Sequence, residues 1–405
     1  MKRMLVIAGA FVPVNDTVTL LTYKRLKHLD CEFDVLLLTG KTDTSLEEEL
    51  KKDPDYKKFH FYPVADYDST ISIAKPWRLP LSLINLNKYK RAALRLAQKN
   101  RYDYLYTSSV PGISHSAGLL VKKHFPEIKW FASFSDPIKN SPYKNDPYLA
   151  KRNPVYRLMF SVGSELYMGE RYENDGILAD KLIFICEEER DYIVSQHDDP
   201  EGLKEKSLIL PLVYEKDWSM YRQMVESERH EHTPRRAVHL GRLYGLRRID
   251  TFIEALRELK QEDPELKNRI IFEQYSEIQK EDVEKIREYG LEDVFRIYPK
   301  VNYQKAVEIM KNADILLLFD TIMDGAPVQP YLPSKILEYL LLRKPILGIC
   351  QDNSPSYRIL KRYGHRAAYA PSEIRESVSA IVQDHSVYDY PLDDLDSENH
   401  LLDLS

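Results

Sequence analysis

The stretch YLPSKILEYLLLRKPILGI, residues 331–349, carries a lysine and a glutamate at the front of an otherwise apolar run. It follows the apolar run ADILLLFD, residues 313–320, and ends in a second short apolar run at 345–349. Helix-prone residues lie between these two runs, so the pattern predicts a strand, a loop, a helix and a strand. Parallel strands joined by helices are typical of α/β domains, which bind ligands beyond the carboxyl ends of their strands.

Lys335 and Glu338 fall in the first turn of this predicted helix, with Ser334 as its expected N-cap. A glutamate suits the positive end of the helix dipole, whereas a lysine opposes it. An anion held between the Lys335 ammonium and the helix amides would account for the lysine, which favours a phosphate-containing ligand. A surface position without function is the alternative for Lys335.

Length and charge exclude several classes of protein. A chain of 405 residues is expected to form two or three domains, because single cores rarely grow beyond about 250 to 300 residues. The net charge of -5, with 30% charged residues, is typical of a soluble globular protein and gives no reason to expect nucleic acid as a partner. No apolar run approaches roughly 18 residues and no signal peptide is recognised, so we expect a cytoplasmic protein.

Strand-like and helix-like segments alternate along both halves of the chain. The alternation begins with MLVIAGAF (4–11) and restarts with RAVHLGRL (236–243) after a polar segment. Alternation of this kind predicts doubly wound parallel sheets. The expected organisation is an N-terminal Rossmann-like domain at 1–214, a linker at 215–235, a second Rossmann-like domain at 236–385 and an acidic C-terminal tail at 386–405.

The stretch HLGRLYGLRRID, residues 239–250, contains a predicted loop at the carboxyl edge of the second sheet. Its two glycines, of which Gly241 ends the strand, allow the backbone to approach a ligand closely. Arg242 and Arg247 carry guanidinium groups, which chelate phosphate oxygens well. A solvated basic turn is the alternative, but the coincidence with Lys335 on another loop of the same edge favours a phosphate site.

Glu338 cannot bind phosphate, but its carboxylate can accept two hydrogen bonds from a ribose diol. Arginines and a lysine for a diphosphate, together with a carboxylate for a ribose, predict a nucleoside diphosphate site. A favourable interaction with the helix dipole alone is the alternative role of Glu338.

The segments GRLYGLRRIDTFIEAL, NADILLLFD and PSKILEYLLLRKPIL resemble the C-terminal domain of retaining glycosyltransferases of the GT-B fold, in the large family 4 class. In the N-terminal half, YDYLYTSSVPGISHSAGLLVKK and WFASFSDPI are similar to that family's donor-cleft loops. The resemblance spans most of the chain, and its most specific part is the pairing of GRLYGLR with PSKILEY. It implies two doubly wound Rossmann-like α/β domains that face each other across a cleft.

The resemblance also implies roles for residues of the C-terminal domain. Arg242 and Arg247 would hold the donor diphosphate, and Arg247 stands where the family usually has lysine. Ser334 and Lys335 would complete the phosphate clamp, and Glu338 would bind the ribose.

Two residues of the N-terminal half match positions of the same family. His115 matches the histidine beside the transferred sugar, and Asp136 matches an aspartate that faces the cleft. A structural role for His115 and a turn formed by Asp136 before Pro137 are the alternatives.

Three departures from the family pattern concern the substrates. Pro330 stands eight residues before Glu338, where members with paired glutamates have the first one, so the sugar hydroxyls are left to Asp324, Gly325 or Gln329, or to a different arrangement. The turn AFVPVNDT and the stretch FEQYSE both lack a glycine that relatives carry, which puts ligand contacts from these two loops in doubt.

The stretch NKYKRAALRLAQKNR, residues 87–101, contains no acidic residue and places Lys88, Arg91, Arg95 and Lys99 along one stripe of a predicted helix. A solvated outer face is one interpretation of this stripe. Contact with anionic lipid, or with a diphosphate-lipid acceptor at the inner face of the membrane, is the other.

These observations predict a metal-independent, retaining glycosyltransferase that moves a sugar from a nucleotide-diphosphate sugar to a glycan or lipid-linked acceptor. Surface polysaccharide assembly is the setting that the resemblance favours. The nucleotide sugar is a substrate, no cofactor is expected, and His230 and His232 have no partners at metal-ligand spacing. A nucleotide-sugar epimerase of the same fold and a non-catalytic nucleotide-binding scaffold protein are the alternative functions.

Overall fold

In the computed structural model the described residues are 1–39, 44–66, 79–109, 113–137, 139–142, 154, 158, 170–227, 231–386 and 388–405. They form two compact units. The first contains the described residues of 1–144 and 150–215 together with Leu395–Ser405, and the second contains those of Lys216–Asp394.

Parallel strands make up the sheet of the first unit. They are β1 Lys2–Ala8, β2 Cys31–Thr39, β3 Phe59–Asp66, β4 Tyr104–Ser108, β5 Lys129–Ser133, β6 Lys181–Phe184 and β7 Ser207–Ile209. Their order in the sheet is β3-β2-β1-β4-β5-β6-β7, so the direction of winding reverses between β1 and β4. All of β4 and most of β1 are buried, as expected for strands of a parallel sheet that is covered on both faces.

Helices connect the strands of the first unit. They are α1 Thr17–Lys27, α2 Thr44–Lys52, α3 Leu79–Lys99, α4 Ile113–His124, α5 Glu170–Gly176, α6 Glu187–Val194 and α7 Pro200–Glu205, with 3-10 helices at Pro54–Lys58 and Ser397–Asn399. The Asp16 carboxylate accepts hydrogen bonds from the amides of Val18 and Thr19, which caps α1 without a glycine-rich turn. Tyr89 of α3 and Trp130 of β5 are among the largest side chains of the core.

The second unit repeats this design. Its strands are β8 Arg235–Leu240, β9 Ile270–Tyr275, β10 Phe295–Tyr298, β11 Ile315–Phe319, β12 Ile346–Ile349 and β13 Arg366–Ala368. They are parallel and lie in the order β10-β9-β8-β11-β12-β13, with the reversal between β8 and β11. Both sheets are therefore doubly wound, and the predicted α/β fold class with two Rossmann-like domains is confirmed.

Helices of the second unit cover both faces of its sheet. They are α8 Ser219–Val225, α9 Asp250–Glu262, α10 Lys280–Glu288, α11 Tyr303–Lys311, α12 Lys335–Leu341, α13 Pro355–Arg362 and α14 Pro371–Val382, with 3-10 helices at Leu266–Asn268 and Asp393–Leu395. Helix α8 lies in the segment that the sequence pattern assigns to a linker. Its inner side is fixed by Tyr221 and Met224, which are both buried.

The segment expected as an acidic tail is folded where it is described. Up to Asp394 it belongs to the second unit, in which the Tyr390 hydroxyl donates a hydrogen bond to the Leu340 carbonyl at 2.8 Å. Residues Leu395–Ser405 belong to the first unit. There the Tyr214 amide donates to the Leu395 carbonyl at 2.8 Å.

Candidate functional site

The carboxyl ends of β8 and β11 bring two loops to one edge of the second sheet. These strands are neighbours and run parallel, so the segments that follow them leave the sheet side by side. The loop after β8 carries Arg242 and Arg247, and the segment after β11 leads into α12 with Lys335 and Glu338. Because the winding reverses between these two strands, the loops flank the crevice in which doubly wound domains bind their ligands.

His239, near the end of β8, lies within the electrostatic reach of both Arg247 and Lys335. Its Nδ1 atom is 2.9 Å from the Leu317 carbonyl oxygen. A carbonyl can only accept, so Nδ1 carries the proton and Nε2 carries the lone pair. Burial, helped by the charges of Arg247 and Lys335 and opposed by the Leu317 hydrogen bond, lowers the pKa of His239 to about 3. The charges of two cations from different loops therefore act on one neutral imidazole.

Glu338 is held between two residues of the second unit. The Tyr303 hydroxyl donates a hydrogen bond to Glu338 Oε1 at 3.0 Å. Lys335 Nζ lies 3.5 Å from Glu338 Oε2, and the two side chains are 31% and 16% exposed. Oε2 makes no hydrogen bond to a described residue. This carboxylate thus has one oxygen fixed by a phenol and one with its acceptor capacity available.

The arginines of the β8 loop differ in their surroundings. Arg242 is exposed, whereas Arg247 is half-buried and its Nε atom has no hydrogen-bond partner among the described residues. Gly241, which comes directly before Arg242, accepts a hydrogen bond from Gln274 Nε2 at 2.7 Å. A Cβ atom at this position would lie 3.0 Å from His239 Nε2, so a glycine fits here with least disturbance. Ser334 precedes the first residue of α12, but its side chain makes no capping hydrogen bond.

Gln329, one of the residues considered for sugar recognition, is fully buried in the loop after β11. Its Nε2 atom donates to the Thr321 carbonyl at 3.3 Å, and its Oε1 atom accepts from the Tyr331 amide. The side chain therefore shapes the loop from inside.

Asp324 and Gly325 lie at the exposed tip of the same loop. The Asp324 carboxylate accepts hydrogen bonds from Arg248 at 2.5 Å and from the Tyr369 hydroxyl at 3.2 Å. Gly325 has a φ of +73°, a conformation that side chains rarely adopt, and nothing would lie within 4 Å of an added Cβ. Of the three residues considered for the sugar, these two are the ones that solvent reaches.

His115 lies in α4, after β4, and is 1% exposed. Its Nδ1 atom is 2.8 Å from Thr107 Oγ1, which also accepts a hydrogen bond from Trp130 Nε1 at 2.9 Å. Its ring packs on Phe134 with 4.9 Å between centroids. Burial lowers the pKa of His115 to about 3, and its Nε2 atom has no hydrogen-bond partner among the described residues.

Asp136 follows β5, the neighbour of β4 in the sheet, and is exposed. Its charge acts on Glu189 of α6, which is buried. Burial raises the pKa of Glu189 well above its usual range, with a further contribution from Asp136. The two candidate residues of the first unit thus follow adjacent strands at the carboxyl edge of its sheet.

Residues 221–381 match the family described as "Glycosyl transferases group 1". The matched segment contains all the candidate residues of the second unit. No curated protein matches the chain.

Solved structures of known proteins share the fold. Sucrose-phosphate synthase from Thermosynechococcus elongatus matches with a TM-score of 0.55 and 12% identity over 95% of this chain and 90% of that chain. TarM of S. aureus matches with a TM-score of 0.59 and 10% identity over 95% and 91% of the two chains. HepE of Anabaena, solved with UDP and glucose, matches with a TM-score of 0.54 and 14% identity over 95% of this chain and 89% of that chain. These likenesses show the GT-B fold. Together with the match over residues 221–381, they support an enzyme that transfers a glycosyl group.

Three residues of this site were not assigned from the sequence. His239 lies two residues before Gly241, and its position near a strand end was the available signal. Asp320 ends the apolar run of β11 and is buried; burial raises its pKa to about 6, against the influence of its hydrogen-bonding neighbours and Arg247. Tyr303 lies 35 residues from Glu338 and gave no local signal.

Across the ranges that the structure describes, no group of three or more His, Cys, Asp or Glu side chains could hold a metal ion. His232 instead pairs with Asp314, with 3.1 Å between Nδ1 and Oδ2, and His230 lies outside the described residues. Within the same ranges, no helix has both the length and the apolar character needed to cross a membrane.

Proposed function

We propose that this protein is a glycosyltransferase that moves a sugar from a nucleotide-diphosphate sugar to a glycan or lipid-linked acceptor, with retention of the anomeric configuration and without a divalent metal. The observation that carries the proposal is that Arg247 and Lys335, from two loops at one edge of the sheet, both act by their charge on His239, and that Lys335 lies beside the Glu338 carboxylate. Cations of this kind suit a diphosphate, and a carboxylate whose Oε2 makes no hydrogen bond to a described residue suits the ribose diol. Ser334 completes the proposed phosphate clamp.

Departure of the nucleoside diphosphate breaks the bond between the sugar C1 and the β-phosphate oxygen, and the electron pair stays on that oxygen. Arg242, Arg247 and Lys335 supply positive charge where this negative charge develops. In a site that excludes water, such fixed charges stabilise the leaving group more strongly than they would in water. They replace the divalent metal ion that other transferases use for this purpose.

In this proposal the acceptor hydroxyl attacks the sugar C1 on the face that the diphosphate leaves, and its proton passes to the departing β-phosphate oxygen. Glu338 accepts a hydrogen bond from Tyr303 and is assigned to the ribose, so it is not assigned as a nucleophile. No other side chain takes that role in the proposal. His115, whose buried Nε2 has no hydrogen-bond partner among the described residues, is assigned to the transferred sugar, and Asp136 to the surroundings of the reacting centre. A trapped covalent adduct between the sugar and Asp136 would contradict front-face transfer.

Donor turnover tests the proposal. HepE and TarM have been solved with UDP, so UDP-sugars are the first donors to try, followed by GDP- and ADP-sugars. We expect Lys335→Ala to lower turnover by about 100-fold or more, because it removes a charge from the leaving group. The matched control is Lys280→Ala, since Lys280 also begins a helix and pairs with a glutamate, Glu284, but is 87% exposed.

If Lys335→Ala turns over the donor at a rate close to that of Lys280→Ala, the proposed phosphate clamp is wrong. The configuration of the product, read by NMR, tests retention. Conversion of the donor to an epimer in the absence of any acceptor would replace sugar transfer by epimerisation.

The surface of α3 favours peripheral contact with anionic lipid, and we place the enzyme at the cytoplasmic face of a membrane, in surface polysaccharide assembly. Lys88, Arg91, Arg95 and Lys99 are all exposed. None of the four has a carboxylate partner among the residues described. The opposite face of α3 is anchored in the core through Tyr89, Ala93 and Ala97. The cations are therefore presented outward on a fixed helix, where each adds to attraction by anionic headgroups.

Charge reversal tests this contact. We expect Arg91→Glu combined with Arg95→Glu to weaken binding to phosphatidylglycerol vesicles by about tenfold or more. The control is Lys267→Glu combined with Arg287→Glu, which makes the same change of net charge at exposed positions of the second unit. Equal vesicle binding by the two double variants would exclude α3 as the contact surface.

A further inference from the structure

Tyr303 is the first residue of α11, and its hydroxyl reaches a carboxylate on a different helix, α12. The donor oxygen lies 3.0 Å from Glu338 Oε1. Burial raises the pKa of the Tyr303 phenol, and the charges of Glu338 and Tyr221 add to this. The phenol therefore stays protonated near neutral pH, and it donates its hydrogen bond to Glu338.

The contact matters because Glu338 has a competing partner. Lys335 lies three residues earlier on the same helix, where side chains meet. The distance between Lys335 Nζ and Glu338 Oε2 is 3.5 Å, longer than the 2.7–2.9 Å or so of a charge-assisted hydrogen bond. Tyr303 holds the other oxygen of the same carboxylate. The phenol thus keeps the carboxylate from closing on the lysine.

We propose that Tyr303 is a positioning residue that makes this site selective for ribonucleotides over 2′-deoxyribonucleotides. This inference rests on the proposed nucleotide-diphosphate site. Tyr303 fixes Glu338 so that Oε2 and the remaining lone pair of Oε1 accept hydrogen bonds from the 2′- and 3′-hydroxyls of a ribose. Lys335 stays available for the diphosphate. Without the phenol, the carboxylate turns towards Lys335 and loses the geometry that matches the diol.

The test compares nucleotide pairs that differ by one hydroxyl. Calorimetry measures the dissociation constants of UDP and 2′-deoxy-UDP, GDP and 2′-deoxy-GDP, and ADP and 2′-deoxy-ADP. For the base that binds, we expect wild type to prefer the ribonucleotide by about tenfold or more, the worth of one hydrogen bond to a charged group. In Tyr303→Phe we expect the preference to fall below about threefold.

The ratio of the two dissociation constants is the informative quantity, because a merely structural role of Tyr303 would weaken the binding of the ribonucleotide and of its 2′-deoxy counterpart equally. Tyr289→Phe is the matched control, since the Tyr289 hydroxyl also donates to a glutamate, Glu254, at 3.0 Å in the same unit. This variant keeps the wild-type preference. Glu338→Asp keeps the negative charge, but its shorter side chain moves the carboxylate away from the Tyr303 hydroxyl. This variant is expected to lose the preference for the ribonucleotide, as Tyr303→Phe does.

The possible failures are distinct. Tyr303→Phe with an unchanged preference overturns the role of Tyr303 and leaves the nucleotide site in place. Wild type that binds a nucleotide pair without preference overturns the ribose role of Glu338 together with that of Tyr303. Wild type that binds none of the six nucleotides overturns the proposed function itself.

Discussion

Ser276 occupies a backbone conformation that side chains rarely adopt. Its φ is +138°, it is 5% exposed, and its amide donates to the Tyr298 carbonyl at 3.1 Å. It lies in FEQYSE, the stretch in which the resemblance led us to expect a glycine. The structure keeps the backbone turn and places a serine in it. Strain of this kind persists where surrounding contacts hold the backbone in place.

Replacement of Ser276 by glycine should therefore stabilise the protein. We expect Ser276→Gly to raise the free energy of unfolding by roughly 1 kcal/mol, because glycine adopts a positive φ at no steric cost. Chemical denaturation measures the change. Ser372→Gly, at an exposed position in the first turn of α14, is the control and should lower stability. A loss of stability in Ser276→Gly would show that the serine side chain outweighs the backbone strain.

Predictability from the sequence differs among the residues of the site. Arg242, Arg247 and Lys335 belong to short motifs at strand ends, so their local pattern was enough to bring them into one hypothesis. His239 and Tyr303 act through contacts with residues that are distant in sequence. Local periodicity carries no information about such contacts, and only the folded structure revealed them.

Elements with a weak pattern were the ones that sequence reasoning missed. Strand β3 lies at the edge of its sheet and contains Pro63, which is tolerated at an edge but argues against a strand in a sequence. Helix α8 has only 7 residues, and its buried residues Tyr221 and Met224 are too few to show a helical period. The central strands of both sheets were recognised because strands buried on both faces read as continuous apolar runs.

Helix α1 contains basic residues that the structure buries. Lys24 donates to the Val213 carbonyl at 2.9 Å, and Lys27 pairs with Asp53 at 2.8 Å and Glu215 at 2.7 Å. Burial alone would raise the pKa of Asp53 and Glu215. Hydrogen bonds and the charge of Lys27 instead lower the pKa of Asp53 below its ordinary value of 3.8. A hydrogen bond from His28 acts together with Lys27 to lower the pKa of Glu215 below its ordinary value of 4.5. The last turn of α1 is thus an ion-pair anchor inside the first unit.

Removal of this anchor should be costly. We expect Lys27→Met to lower the free energy of unfolding by about 3–5 kcal/mol, because it leaves two buried carboxylates without their cation. The control is Lys51→Met, because the Lys51 side chain is 65% exposed and its replacement should change the free energy of unfolding little. A loss below about 1 kcal/mol in Lys27→Met would contradict the anchor.

The pH dependence follows from the same pKa shifts. Carboxyl groups with lowered pKa values in the folded state stabilise it fully above their ordinary values, that is above about pH 4.5. This contribution is lost as the pH falls through the folded-state values. The difference in unfolding free energy between wild type and Lys27→Met should therefore shrink below about pH 4.

At the scale of the whole molecule, two doubly wound sheets were predictable because strand and helix patterns alternate twice along the chain. The C-terminal segment was less accessible to sequence reasoning. Its polar, acidic composition resembles that of a loose tail, yet Leu392, Leu395 and Leu402 are each at least 92% buried. A few well-spaced apolar residues suffice to dock such a segment, and they are too sparse to stand out as an element.

The central claim is that Lys335 and its neighbours form a phosphate site for a nucleotide. The most direct measurement is the thermal stabilisation of the protein by UDP, GDP and ADP, repeated with Lys335→Ala and with the control Lys280→Ala. Ligands that bind only the folded state raise the melting temperature by mass action. The account predicts that one nucleotide class stabilises wild type and Lys280→Ala but not Lys335→Ala. Equal stabilisation of Lys335→Ala, or no stabilisation of wild type by any of the three, would contradict it.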